Sequence, residues 1–259
     1  MTEDIDGDGS AETEARMGRL DPTPEKRVVV GGPLPQYRWM LADLLPIYRL
    51  RLRTDRLELR LPATFDELAD LANAAAAGVH DPTFMPFGVP WTEGSPEVVA
   101  RNVVFWHHRV IGRWDAKSWT LPFTVFYEGQ PIGVQDIKGL QYAITREVAT
   151  GSWIGRVHQG KGLGKEMRAA VLHLAFAGLG ADYATSSSFV GNDASEGVSR
   201  SLGYCPDGEE FQVVQGQRRQ LRRWRVSRED WDATRKHEVR IDGLDGDVLD
   251  MLGIDGVDA

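Results

Sequence analysis

The residues best placed to do chemistry form a glycine-rich run, Gln159-Gly160-Lys161-Gly162-Leu163-Gly164. The run lies between a strand-like segment, Gly151 to Ile154, and a helix-like one, Leu163 to about Ala177. Glycines at such a junction let backbone N–H groups approach a ligand closely. The helix start adds unpaired donors and a partial positive charge. Together these suit a pyrophosphate. A Walker loop fits poorly: Gly155 to Lys161 has its spacing, but Gly162 stands where the Mg²⁺-binding hydroxyl belongs. A dinucleotide fingerprint requires G-x-G-x-x-G, and this turn reads G-x-G-x-G, late in the chain and after antiparallel-type strands. On the turn alone, a phosphate binder and a plain tight turn at a helix start stand level.

The elements that must position this turn can be read from periodicity. Arg56 to Leu61 alternates as a strand does. Thr64 and Glu67 have the spacing of a capping box before an Ala-rich helix that stops at Gly78. Ser95-Pro96-Glu97 opens a second helix ending near Gly112. Trp119–Tyr127 and Ile132–Ile137 are β-rich and joined by Glu128-Gly129-Gln130, as in a hairpin. After the glycine-rich turn and its helix come a strand over Tyr183–Phe189, a helix capped by Asn192 or Asp193, and two strand-like runs around Gln215-Gly216-Gln217. Ser227 opens a last short helix. The order is that of a mixed α/β sheet, largely antiparallel and flanked by helices.

The chain's 259 residues suffice for one large domain with appendages. Its acidity sits in the ends. Residues 1–27 carry eight acids against four bases, and residues 237–259 carry seven acids against one arginine. The body is close to neutral and offers no field suited to nucleic acid. Residues 1–27 read as an acidic mobile arm, 28–50 as a docking segment, 51–236 as the domain, and 237–259 as an acidic tail, frayed or ending in a short docked helix. One cysteine, Cys205, rules out an intrachain disulfide and fits a reducing cytoplasm. No apolar run reaches membrane-spanning length, and the acidic start is unlike a signal peptide.

A third phosphate pattern, [RQ]-x-x-G-x-[GA], is satisfied by Gln159 through Gly164. Downstream, Asn192-Asp193-Ala194-Ser195 followed by Leu202-Gly203-Tyr204 matches N-x-x-S…LG[FY]. By these two motifs the chain resembles GNAT acyltransferases, in the branch of the ribosomal-protein-alanine acetyltransferases. It is similar in particular to actinobacterial members that include a mycobacterial protein linked to succinyl-CoA. That likeness rests on His80-Asp81-Pro82, Met85-Pro86-Phe87, Val89-Pro90-Trp91, Ile144-Thr145-Arg146, Gly151-Ser152-Trp153 and Glu166-Met167-Arg168. It also rests on Ala184-Thr185-Ser186 and Ser188-Phe189-Val190, and covers roughly residues 50–232.

The resemblance implies the GNAT fold, with splayed central strands, and acyl transfer from acetyl-CoA or succinyl-CoA to an amine without a covalent intermediate or a metal. It implies that amides of Gln159, Gly160, Lys161, Gly162, Leu163, Gly164 and Lys165 hold the pyrophosphate. Trp153 and Ile154 would meet the pantetheine amides, and Asn192 the pantetheine arm. Ser195 would protonate the leaving thiolate, because the tyrosine many relatives use is replaced by Ser199. For the general base, Asp136 has the better position, with Glu209, Glu210 or a water relay as alternatives. Phe87 and Trp91 would line the acceptor cleft. Arg146, or else Arg168, would meet the free carboxylate of a succinyl group.

The arginines Arg218 to Arg228 crowd the last strand. They are expected as a charged edge strand, or as contacts to a CoA 3′-phosphate, an acyl carrier protein or an acidic acceptor, and the Asp-rich tail is a candidate to neutralise them. The expected partners are a small-molecule or peptide amine, a carrier protein in a biosynthetic-cluster reading, and a second copy of the chain. A non-catalytic acyl-CoA sensor is the alternative on the same fold.

Overall fold

A computed structural model describes residues 39–254. The expected arm over 1–27, residues 28–38 of the docking segment and the last residues of the tail lie outside the described residues. Strands β1 (Arg51–Arg53) and β2 (Leu57–Arg60) come first, after helix α1 (Leu41–Leu44) and a 3₁₀ turn over Pro46–Arg49. Ile47 and Leu50 are fully buried, so the described end of the docking segment packs into the core. Helices α2 (Phe65–Ala76) and α3 (Pro96–Gly112) follow. Thr64 Oγ1 accepts the Glu67 amide and caps α2, but the Glu67 carboxylate turns to the Ala63 amide and Arg60 rather than completing a reciprocal box.

The hairpin β3 (Ser118–Tyr127) and β4 (Gln130–Leu140) is closed by Glu128 and Gly129, at φ 51° and 78°. Two positive φ values in a two-residue loop match the twist of the strands it joins. Next come α4 (Tyr142–Thr145), β5 (Glu147–Ile154), α5 (Leu163–His173), β6 (Tyr183–Phe189) and α6 (Asp193–Ser201). The helix expected to reach Ala177 leaves α-geometry after His173 and finishes as a π-turn over Leu174–Gly178. The chain continues through β7 (Cys205–Val214), β8 (Gln217–Ser227), α7 (Arg228–Thr234), β9 (Arg240–Asp242) and α8 (Gly246–Met251).

The nine described strands form one sheet in the order β7-β8-β6-β5-β4-β3-β2-β1-β9. Every pair is antiparallel except β5 with β6. One face packs α5, α7 and α8 over a core that includes Leu59, Phe123, Ile137, Val171 and Trp224; α2 and α3 cover Val134 on the other. Cover on both faces explains why β3 and β4 are buried almost continuously along their length rather than at alternate residues.

Two expectations about the ends need correction. Of the two readings of the acidic end, frayed or a short docked helix, the described residues show the helix: α8 buries Val248 and Leu252, and β9 adds a strand beyond residue 236. The tail's acids pair with Arg49 and Arg53, at the opposite edge of the sheet from β8. It therefore does not neutralise the arginine-rich strand. Nor is that strand an edge: β7 covers it, and the exposed, bulged β7 takes the edge position.

Candidate active site

Strands β5 and β6 pair only at Glu147↔Tyr183, Val148↔Ala184 and Ala149↔Thr185. Beyond these, β5 continues on β4 through Ile154, and β6 continues on β8 through Phe189. The two strands therefore part, and Thr150 to Ile154 face Ser186 to Phe189 across a gap with no ladder bonds of its own. Unpaired backbone polar groups in such a gap are ready for an extended ligand.

The glycine-rich turn sits at the far end of β5. Gly160 and Gly162 take φ 74° and 79°, a left-handed backbone that other residues enter at a cost. Gly162 is the N-cap of α5 and supplies no side-chain cap. Among the described residues, no hydrogen bond occupies the amides of residues 160–164, whereas Lys165 N is bonded to Gly162 O. Gln159 is committed elsewhere: its Nε2 donates to Val79 O at 2.6 Å and Ile154 O at 2.9 Å, pinning the turn to the body. Lys161 and Lys165 are exposed beside it.

A second anchor holds the turn from below. Glu166, 2% exposed, accepts from Thr54 Oγ1, Arg56 N and Arg56 Nε at 2.6, 3.2 and 2.8 Å. Burial works against its charge, but these donors outweigh burial and hold the carboxyl below the usual range. Arg56 Nη1 also reaches Lys161 O at 3.2 Å. Nothing in the spacing of Arg56 and Glu166 announces this tie.

Helix α6 opens beside α5; a Cβ on Gly164 would lie 3.9 Å from Val198 Cγ2. Asn192 is its N-cap, with Oδ1 accepting the Ser195 amide at 3.2 Å. Ser195 is half-buried in the first turn. Tyr204 is buried in the core with its hydroxyl 3.4 Å from Thr150 Oγ1, as packing rather than acid chemistry would have it.

Asp136 stands on β4 directly opposite Gly151, the second residue past the last β5–β6 pair. A Cβ on Gly151 would lie 3.0 Å from both carboxylate oxygens, so the missing side chain makes their room. Lys138 Nζ forms an ion pair with Oδ1 at 3.4 Å, and Oδ1 is buried with no hydrogen bond from elsewhere. Burial pushes the Asp136 carboxyl above its ordinary range, with Lys138 opposing. On this same face a cleft of about 380 Å³ is lined by Lys138, Glu147, Thr150, Thr185, Ser186 and Arg223, among others. Glu209 and Glu210, the alternative bases, lie on β7, and Glu210 lines the cleft.

Phe87, Trp91 and Trp153 come together as an aromatic wall, with ring centroids 5.1 Å apart for Phe87–Trp91 and 5.5 Å for Trp91–Trp153. The loop that carries Phe87 and Trp91 is stapled by His80, whose Nε2 meets Thr92 Oγ1 at 2.6 Å, and by Asn102 Nδ2 on Trp91 O at 2.8 Å, while Trp153 is held on β5. Arg146 is not brought to the gap. It takes a left-handed conformation before β5, and its guanidinium donates to the Gly180 carbonyl. Its expected role at an acyl carboxylate does not fit this placement.

A model of the acetyltransferase (GNAT) domain matches residues 56–204, more than half of the chain. The chain belongs to the GNAT acetyltransferases. As a GNAT protein it is an acyl-CoA-dependent N-acyltransferase, and its mixed sheet is the family's fold. Solved structures agree on the fold. A GCN5-related N-acetyltransferase from Brucella melitensis is 18% identical, covering 71% of this chain and 81% of its own, with a TM-score of 0.57. Mycobacterium smegmatis RimJ in complex with a CoA disulfide is 16% identical, covering 73% and 94%, with a TM-score of 0.52. A ribosomal-protein-S5-alanine acetyltransferase from Vibrio fischeri is 14% identical, covering 70% and 98%, with a TM-score of 0.51. No described helix of this GNAT chain is long and apolar enough to cross a membrane, and no described group of His, Cys, Asp and Glu could hold a metal ion.

Proposed function

We propose that the chain moves an acyl group, acetyl or succinyl, from an acyl-CoA thioester to a primary amine of a peptide or small molecule, by direct attack in a ternary complex. The parting of β5 from β6 beside an open-amide turn is the observation that carries this reading. The turn fits a pyrophosphate: five successive amides are unclaimed, and both left-handed positions are glycine. In this reading residues 160–164 hold the pyrophosphate, with Gln159 fixing the turn and Lys161 and Lys165 adding charge. Trp153, Ile154 and Asn192 meet the pantetheine arm, whose thioester then lies beside Gly151.

The acceptor enters from the face that carries Asp136 and the Phe87–Trp91–Trp153 wall. Its nitrogen attacks the thioester carbonyl, whose developing negative charge is met by a β5 backbone N–H. The C–N bond forms and the C–S bond breaks. Asp136 takes a proton from the amine, directly or through water, and the Ser195 hydroxyl donates one to the thiolate. A carboxyl raised by burial is nearer the neutral range that a general base needs. The single cysteine and the thioester donor both suit a reducing cytoplasm.

The test is release of free CoA thiol from acetyl-CoA and succinyl-CoA against a panel of amines and N-terminal peptides. Amine-dependent release is expected, with the acyl group recovered on the amine by mass. Tight CoA binding without any turnover would replace the enzyme by a sensor, and absence of CoA binding would remove the reading altogether.

A further inference from the structure

Arg168 reaches the gap from α5 and is 4% exposed. Its Nη1 lies 3.2 Å from Ser186 Oγ and 3.2 Å from Ser199 Oγ, and its Nη2 lies 3.2 Å from Ser152 Oγ. Hydroxyls from β5, β6 and α6 thus fix the guanidinium in place. They are neutral and leave its charge standing. The negative groups that act on it are Tyr204 and Asp136. Burial raises the Tyr204 pKa, so the phenol is uncharged at neutral pH. The counter-charge of Arg168 is therefore the Asp136 carboxylate.

The two side chains come to the gap from opposite faces of the sheet. Asp136 follows Val134 by two residues on β4 and so shares the face covered by α2 and α3. Arg168 comes from the α5 face. They converge on one place in β5. Gly151 stands opposite Asp136, and the next residue, Ser152, holds Arg168 Nη2. At this point β5 has already parted from β6, and Gly151 carries no side chain, so the two charges stand on either side of one stretch of backbone.

The other groups around Asp136 act differently. Lys138, on the same strand, is 49% exposed, where water and salt screen it. The Gly151 amide carries no net charge. Pro122 lies opposite on β3, and His107, the buried histidine of α3, is neutral above about pH 4. Across the cleft Glu147 is held by Arg225 at 2.7 Å, and Asp207, Glu210 and Arg223 lie on β7 and β8. Arg168 is the buried cation of this group. Its field acts through a medium that polarises weakly, and it strengthens when a ligand displaces water from the gap.

We propose that Arg168 is a positioning residue of the acyl transfer: its fixed charge, set beneath β5, keeps the Asp136 carboxylate ionised and ready to take the amine's proton once the acyl-CoA arm has filled the gap. This rests on the reading of Asp136 as the general base. Burial alone favours the protonated acid, which has no use as a base. Lys138 opposes burial from the water side, and Arg168 opposes it from within the fold. The same pairing accounts for a positive charge that α5 buries among serines.

The test is the pH dependence of kcat at saturating acetyl-CoA and amine, for the full chain and for Arg168→Gln, Arg168→Met, Arg168→Lys and Asp136→Asn. Ionised Asp136 is the active form, so activity falls as pH falls through its pKa. Removing a nearby cation raises that pKa, and the acid limb should move up by about one pH unit or more in both neutral variants. Below the limb this is about a tenfold loss, recovered at higher pH, and the KM for acetyl-CoA should change little. Arg168→Lys keeps the charge and should hold the limb near its original place. Gln and Met differ in shape, so the loss of one to misfolding leaves the other. A limb that stays put in a folded neutral variant overturns the inference. So does a loss that is equal at every pH, which marks a purely structural role, and so does a shift in Arg168→Lys as large as in the neutral variants. If the limb vanishes in Asp136→Asn but is unmoved in Arg168→Gln and Arg168→Met, Asp136 stands as base and only the role of Arg168 falls. A limb that persists in Asp136→Asn overturns the base reading and the inference with it.

Discussion

At Asp136 burial and charge pull in opposite directions. The fold seats its carboxylate over Gly151, leaves Oδ1 with only the Lys138 ion pair, and by burial raises its proton affinity. A base with a raised value loses activity as pH falls through that value. Asp136→Asn should therefore lower kcat by roughly 10²–10⁴ and abolish the acid limb of the pH–rate profile. The sign on stability is opposite. A raised native value means the ionised side chain burdens the fold above it, so Asp136→Asn should also raise Tm at neutral pH. An unchanged pH profile would remove Asp136 as base. At the turn, Gly162→Ala would place a Cβ at φ 79°, at a cost of about 1–2 kcal/mol, and would shift the amides it orders. CoA affinity should drop about tenfold; unchanged affinity would mean that the turn does not hold the pyrophosphate. The glycines and Asn192 are legible in sequence because left-handed turns and helix caps restrict residue type locally. The bonds of Gln159 to Val79, Thr54 to Glu166 and Arg168 to three serines are not, because each joins positions far apart in the chain with no spacing rule between them.

At the scale of elements, the hairpins follow from short-range chemistry. Glu128-Gly129 and Gln215-Gly216 each place two positive φ values in a two-residue loop. The parting of β5 and β6 has no such signature, since Thr150–Ile154 keeps full antiparallel pairing to β4 and reads as an ordinary strand. Only the resemblance to GNAT proteins points to it beforehand. Helix α3 carries a further unread feature. His107 is 4% exposed, and burial, aided by His108, lowers its pKa to about 4. The native state thus binds the proton less well than the unfolded chain. Its stabilising contribution is complete above the unfolded value near 6.5 and drains away as pH falls toward 4, on the order of 3 kcal/mol. His107→Leu should flatten the stability profile between pH 6.5 and 4 in chemical denaturation. A profile as steep as that of the unmodified protein would mean another group drives the acid loss.

For the whole molecule, the question is why an acidic, glycine-spaced C-terminal segment belongs to the core at all. Composition alone reads it as a tail, because seven acids in 23 residues look solvated. Its placement turns on a few apolar positions and two indoles. Val248, Leu252 and Ile254 are buried, and Trp114 and Trp119 donate their Nε1–H to Met251 O and Leu252 O at 2.8 and 3.0 Å. Asp245 and Asp247 meet Arg49 at 3.1 and 2.8 Å, and β9 pairs with β1. These exposed ion pairs set position more than stability. The three buried side chains are worth roughly 1.5–3 kcal/mol each, and each stranded indole N–H would cost about 1–3 kcal/mol. Their sum rivals the 5–15 kcal/mol that holds a typical domain together. A chain ended after Val239 should therefore fail to fold cooperatively, rather than behave as a trimmed but intact enzyme. Were the segment only a solvated counter-charge for the arginines of β8, the shortened chain would keep its Tm and change only in its response to salt. Melting curves of the two chains in low and high salt separate these outcomes, and the packing of Trp119 against the end of the chain requires the first.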